Sequence, residues 1–515
     1  MRALLLVPAV AVAVAACSGS GSGDGGATLR MDVVGDPYAD GSAAHRTIVA
    51  ATQQGLVTFD AAGQVVPGLA TSWRISDDGL SVIFRLRPAR WTDGRAVTAN
   101  DVVAVFRRVI APGSRNPMKP YLASLEHGAA ILAGTSPATA LGVEAPVDNV
   151  VEIRLAGAMP ELLQLLAQPE LAIVRAGPRP PAIGPFRLGD AGVRPIPLRR
   201  SPTYHAATDV TLGGVDLLPV DDPGAAIARF ARDRTDVVTG SGLAGFGDAR
   251  LLAASQALRV EPEWGVYGYL VNVRRGPLAD PAVRRALAMA IDRDDLGSRL
   301  FGVALAPVVG LVPPGLPSER TPAEPGWAIQ PPAVRLDLAR QLLATAGFTA
   351  ANPLALVVSL PTGREHMLVA AEVAADWARL GVKISIAQRS PAAHALAVAM
   401  GDYDLALVER SVAVDSPLFF LVPFTCAMAT PAGPCSTADD ALLAVATATA
   451  DPARRAAALA LAEAAMVADT PMIALFAPVR WSLVARRVTG WTDNAAGQHP
   501  PGRLGVAVGQ EVRRR

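Results

Sequence analysis

Apolar and polar side chains alternate over residues 28–34, the period of a strand with one face in a core. Two more alternating stretches follow: one runs from Gly55 through Phe59 and on past Val66 to Trp73, the other is Ser81-Val82-Ile83-Phe84-Arg85-Leu86-Arg87. Thr92-Asp93-Gly94-Arg95 then supplies a turn, because Asp-Gly tolerates the positive φ of tight turns. At Thr98 the period changes: Val102, Val105 and Phe106 are spaced by three and four, which predicts a helix starting there. The region 112–177 is rich in Pro, Ala and Gly and carries one strand pattern, at 150–155.

Farther on, 222–232 reads as a helix and 264–273 as an aromatic-rich strand. Asp280 caps the next helix, Pro281 takes its first turn, and Val283, Ala286, Leu287, Ala290 and Ile291 form one apolar stripe. Arg284 and Arg285 are expected on the solvated side of that helix. A helix over 338–346 ends at Gly347-Phe348, a left-handed cap with a hydrophobic clasp. Strand 355–360, helix 364–380 and strand 382–386 then imply a parallel βαβ unit, followed by a buried strand at 403–408 and an Ala-rich helix at 452–469.

The amino end changes the picture. Arg2 precedes 14 apolar or small residues, 3–16. A membrane span needs about 20 apolar residues, so this run reads as an export signal, residues 1–16. Val14-Ala15-Ala16-Cys17 resembles a bacterial lipobox, which implies lipidation of Cys17 and a Gly/Ser tether over 17–27. A plain signal peptide cut near an Ala-x-Ala site is the alternative. Removal of residues 1–16 leaves more chain than one core usually covers, so two lobes are expected. The net charge of +1 argues against nucleic acid as a partner. Cys426 and Cys435 flank a turn-rich loop with Pro431, Gly433 and Pro434, which in an oxidising exterior favours a disulfide. A metal site would want His or more Cys nearby, and none is close in sequence.

The block GLVTFDAAGQVVPGLATSWRISDDGLSVIFRLRPARWTDGRAVTANDVV resembles the signature of the extracellular solute-binding proteins of family 5, the peptide- and nickel-binding proteins of ABC importers. The segments YLVNVRRGPLADPAVRRALAMAIDRDDL and DTPMIALFAPVRWSLVARRVTGW resemble that family's crossings between lobes. Residues 234–238 are similar to its G-E-I-D stretch without the glycine. The resemblance implies an α/β, two-lobed periplasmic-binding-protein-like fold of type II, with an extra subdomain and a hinge. Its expected layout is lobe I over 28–267 with the subdomain at about 112–180, lobe II over 268–479, and a return with the C-terminal tail over 480–515. Crossings are expected near 268 and 479.

The same resemblance places the solute. Relatives that bind free peptides hold the amino terminus on an aspartate in the loop after strand 403–408. Aligned here without gaps, Val412 takes that anchor position, Asp415 falls on the family's D-P aspartate, and Glu409 stands where relatives carry tryptophan. A buried ammonium stripped of its carboxylate loses roughly 3–5 kcal/mol, so either Glu409 or Asp415 substitutes or the solute has no free amine there. The null case for Asp415 is a turn and capping residue. Arg364 lies near the place of a carboxylate-binding arginine. The candidate contacts are Asp415, Glu409, Arg364 and Phe419. Trp73 and Trp91 are expected in a core. The six histidines form no ligand-spaced pair, and no metal, cofactor or catalytic motif is found. The implied function is capture of an oligopeptide or other small solute by a monomeric, lipid-anchored protein on the outer face of the cell membrane, with lobe closure and delivery to ABC permease and ATPase subunits. The alternatives are a non-peptide solute such as a glycoside, chelate or haem, and a surface sensor or scaffold without transport.

Overall fold

The computed structural model describes residues 26–38, 42–177, 179–190, 192–240, 242–252, 255–318, 321–428 and 430–507. The export signal and Cys17 lie outside them. Two large sheets organise the rest. In the first lobe, strand Thr28–Val34 is central and runs parallel to both Gly214–Val220 and Val237–Thr239. Strands Val479–Val484 and Leu258–Pro262 extend this sheet on one side, Ile196–Arg200 and Phe186–Leu188 on the other.

In the second lobe the order is Lys383–Arg389, Ala355–Pro361, Leu405–Ser411, Gly265–Val271, Met472–Phe476. Ala355–Pro361 and Lys383–Arg389 are parallel and joined by helix Arg364–Ala378, so the βαβ unit forms as its hydrophobic pattern predicts. The chain passes between the sheets twice, at residues 263–264 and at residues 477–478.

The local signals act as read. Gly94 adopts φ +88 in the turn whose Trp91 N–H donates to the Arg95 carbonyl at 2.9 Å. Asp101 accepts from the Thr98 N–H at 2.9 Å and starts helix Ala99–Ile110. Asp280 accepts from the Ala282 N–H at 2.8 Å and caps Pro281–Ala290. Cys426 and Cys435 are joined as a disulfide, with Cα atoms 4.4 Å apart.

Three findings depart from the sequence reading. Arg284 is not solvated: it is 4% exposed and donates to the carbonyls of Leu278 and Ala279 just before its helix and of the distant Asp469. Helix Pro332–Thr345 begins before the expected 338. A third sheet, Ala70–Ile75, Ser81–Leu86, Val150–Arg154, Val143–Val147, shares one apolar core that runs from Leu56 to Ile183 and takes in Ala413, Val414 and Phe419. Trp91 is fully buried in that core.

Trp481 sets the loop that reaches toward the second lobe. Its ring is fully buried, and its Nε1–H donates to the Ala244 carbonyl at 3.1 Å. Gly240 lies flat on that ring: a Cβ there would fall 2.1 Å from it. The substitution Gly240→Ala must therefore shift the ring or the loop, and overpacking of this kind costs about 1–3 kcal/mol. Denaturant unfolding should show the midpoint falling with an unchanged slope; an unchanged midpoint would contradict this packing.

Candidate functional site

Between the lobes, polar contacts gather in two groups. The first surrounds the crossings. Glu263 sits in one crossing and accepts from Ser411 Oγ of the second lobe at 2.9 Å and from Arg480 of the first. The Val412 N–H donates to the Trp264 carbonyl at 3.0 Å. Glu409 lies across the ladder from Tyr267 and points at the first lobe's loop, where the Leu243 N–H donates to it. Gly242, at φ +56, leaves no room there: a Cβ would fall 2.1 Å from Glu409 Oε2.

Burial pushes the Glu409 carboxyl up to about 8, and the nearby Glu263 charge pushes the same way. The Leu243 N–H and Arg480 act against this without cancelling it. Behind Glu409, the Tyr267 hydroxyl meets His366 Nδ1 at 3.0 Å, and burial holds that imidazole down at about 4. The neighbourhood is thus close to neutral around pH 7.

The second group joins the extra subdomain to the second lobe. Glu161 accepts from Ser416 Oγ and from Arg455 Nη2, both at 2.9 Å, with Glu161 and Arg455 each 6% exposed. Gln168 Nε2 donates to the Ala413 carbonyl at 3.1 Å, and the Asp415 N–H donates to Gln164 Oε1 at 2.7 Å. Beside these contacts lies a cavity of about 830 Å³. Tyr121, Leu132 and Ala158 wall it from the subdomain, Leu418, Val422 and Leu443 from the second lobe. Its volume suits a solute of a few residues.

The expected site residues are not gathered at one point. Glu409 faces the inter-lobe contact. Asp415 Oδ1 accepts from the Ser318 N–H at 2.8 Å, so its carboxylate is tied to a segment distant in sequence. Arg364 is exposed and stands 3.8 Å from Asp248 of the first lobe. Phe419 is fully buried and stacks on Tyr121 at 4.0 Å between ring centroids, so it has no exposed surface to offer a solute in this arrangement. Val412 is half-buried and packs against the cores on both sides of the boundary. Sequence reasoning missed Glu263, Tyr121 and Arg410. The Glu-Arg pair ending an otherwise apolar strand was the available signal, since charges there must meet something other than a core.

The profile "Bacterial extracellular solute-binding proteins, family 5 Middle" matches residues 64–429, so the chain belongs to that family. It is 27% identical over 473 residues to the periplasmic oligopeptide-binding protein OppA of Salmonella typhimurium, covering 87% of this chain and 84% of the relative. It is 29% identical over 357 residues to the probable deoxycholate-binding periplasmic protein YgiS of Escherichia coli, 65% of each chain. The solved structure of OppA from Burkholderia pseudomallei matches with a TM-score of 0.85 at 26% identity, over 93% of this chain and 99% of that one. The fold is therefore the two-lobed type II binding-protein fold.

A carboxyl whose pKa rises on lobe contact binds its proton more tightly in that arrangement. The contact is then at full strength below the ordinary carboxylate range and weakens as pH climbs from there toward about 8. Small-angle scattering of solute-free protein should show the molecule expanding between pH 5 and pH 8, and Glu409→Gln should remove the trend. A flat wild-type profile, or the same slope in the variant, would contradict the assignment.

Proposed function

We propose that this chain is the substrate-binding lipoprotein of an ABC importer, capturing oligopeptides between its lobes and handing them to a membrane permease. The observation that carries the peptide reading is a strand with one edge to spare. Leu405–Ser411 pairs with Gly265–Val271 along its whole length. On its other edge, Ala355–Pro361 pairs only with Leu405 and Ala406. The Leu407 carbonyl there meets His394 Nε2 at 2.8 Å, and beyond it the edge has no strand partner among the described residues. An extended peptide main chain adds to such an edge by β-augmentation, gaining affinity from backbone hydrogen bonds that are indifferent to side-chain identity.

The relatives named for oligopeptides support this reading, and Val412 at the amino-anchor position shapes it. Recognition rests on the peptide backbone, with Glu409 the nearest carboxyl to receive a cationic group. Lobe motion about the two crossings supplies the switch: a solute touching both lobes shifts the balance between open and closed arrangements. Export, lipidation at Cys17 and display outside the membrane complete the proposal, with Arg364 and Asp415 as outer contacts. No catalytic step is assigned.

A second reading, a non-peptide solute, is favoured by one observation: the YgiS relative carries a name that specifies deoxycholate. Native mass spectrometry of gently purified protein separates the two. A ladder of retained peptide masses is expected. A single non-peptide mass, or empty protein that also ignores peptides added at millimolar concentration, would overturn the peptide reading.

A further inference from the structure

Arg410 is a cation with no anion. It lies on the strand Leu405–Ser411, opposite Val266, and so faces away from Glu409 to the other side of the sheet. Its guanidinium lies 5.6 Å from the ring centroid of Phe424. It also lies within electrostatic reach of Tyr121, which comes from the subdomain and lines the 830 Å³ cavity. The nitrogen Nη1 is buried and has no hydrogen-bond partner. Among the described residues no carboxylate stands within 4.0 Å of Arg410. The residue as a whole is half-buried, and of its guanidinium nitrogens only Nη1 is fully covered without a partner.

Most of the buried arginines have more partners. Arg284 is wrapped by backbone carbonyls, Arg455 is paired with Glu161, and Arg293 donates to four carbonyls although its Nη2 is unmet; Arg335 shares an unmet donor at Nε. An arginine in apolar surroundings with an unmet donor is costly unless something arrives to complete it. The neighbouring polar group does not: the Tyr121 hydroxyl donates to the Phe419 carbonyl at 3.0 Å.

We infer that Arg410 is a specificity-determining residue that receives a carboxylate of the bound solute where the subdomain meets the second lobe. A planar fork with two free N–H edges matches a carboxylate in a bidentate pair. One positive charge against Phe424 and Tyr121 neutralises a monoanion; a phosphate dianion would need a second cation at the same spot. The inference rests on the solute-binding reading above and narrows its substrate class to carboxylic acids, peptidic or not.

The test measures affinities of the purified protein by titration calorimetry for two matched pairs: trialanine with trialanine amide, and deoxycholate with its primary amide. The expected result is that the acid of at least one pair binds about ten-fold or more tightly than its neutral partner. Arg410→Gln should erase that preference, while Arg410→Lys keeps part of it. The wild-type comparison needs no variant, so a poorly folding Arg410→Gln leaves the test intact. Equal binding of acid and amide, or an acid preference that survives Arg410→Gln, overturns the inference, as does failure of both acids to bind at millimolar concentration. An acid preference seen only with deoxycholate supports Arg410 and sinks the peptide reading. Trialanine and its amide binding equally, with no acid preference for deoxycholate, does the reverse.

Discussion

The architecture depends on the chain crossing between its two large sheets at only two places, residues 263–264 and 477–478. Two strands side by side make the connection, and one apolar cluster runs across it, from Ala226, Phe246 and Trp481 on the first-lobe side to Tyr267, Leu405 and Phe476 on the second. What fixes the lobes' relative position is a set of side-chain contacts rather than continuous backbone. Glu263 is the pivot, since it sits in the connection and holds one group from each lobe, Ser411 and Arg480. Contacts of that kind are what the proposed lobe motion would exchange, which an uninterrupted sheet would not allow.

The polar groups at the boundary divide by how they are satisfied. Glu161 and Arg455 are buried together and hydrogen-bonded on several sides, so they specify how subdomain and second lobe meet. Such a pair gives register more than net stability. Glu409 is different, because burial favours its neutral form and the nearby Arg480 charge does not offset it. Arg410, one residue on, keeps its charge without a partner. Neighbours on a strand face opposite sides, so the two mark separate parts of the boundary and make separate demands on a solute.

Much of the fold was legible because it rests on local physics. Alternation at 28–34, the strand at 355–360, the Asp-Gly turn, the helix start at Thr98 and the cap at Asp280 concern neighbours in sequence, and the structure keeps each. The site was less legible because its causes are distant. Arg284 lies off its helix's apolar stripe, yet carbonyls from Leu278 to Asp469 draw it inside. Phe419 looked available as a contact until Tyr121, far away in sequence, covered its ring. The family resemblance pointed to the loop around 409–420 but gave no account of Arg410, whose unpartnered nitrogen shows only in three dimensions.

The account's central claim is that the lobes move relative to one another about the two crossings. Pulsed electron resonance between spin labels at Val147 and Val445, both exposed and on opposite sides of the boundary, reads this directly. The account predicts two distance populations in solute-free protein, with the shorter one, set by the Glu161–Arg455 contact, filling when a solute binds. One distance, unchanged by any bound solute, would contradict it.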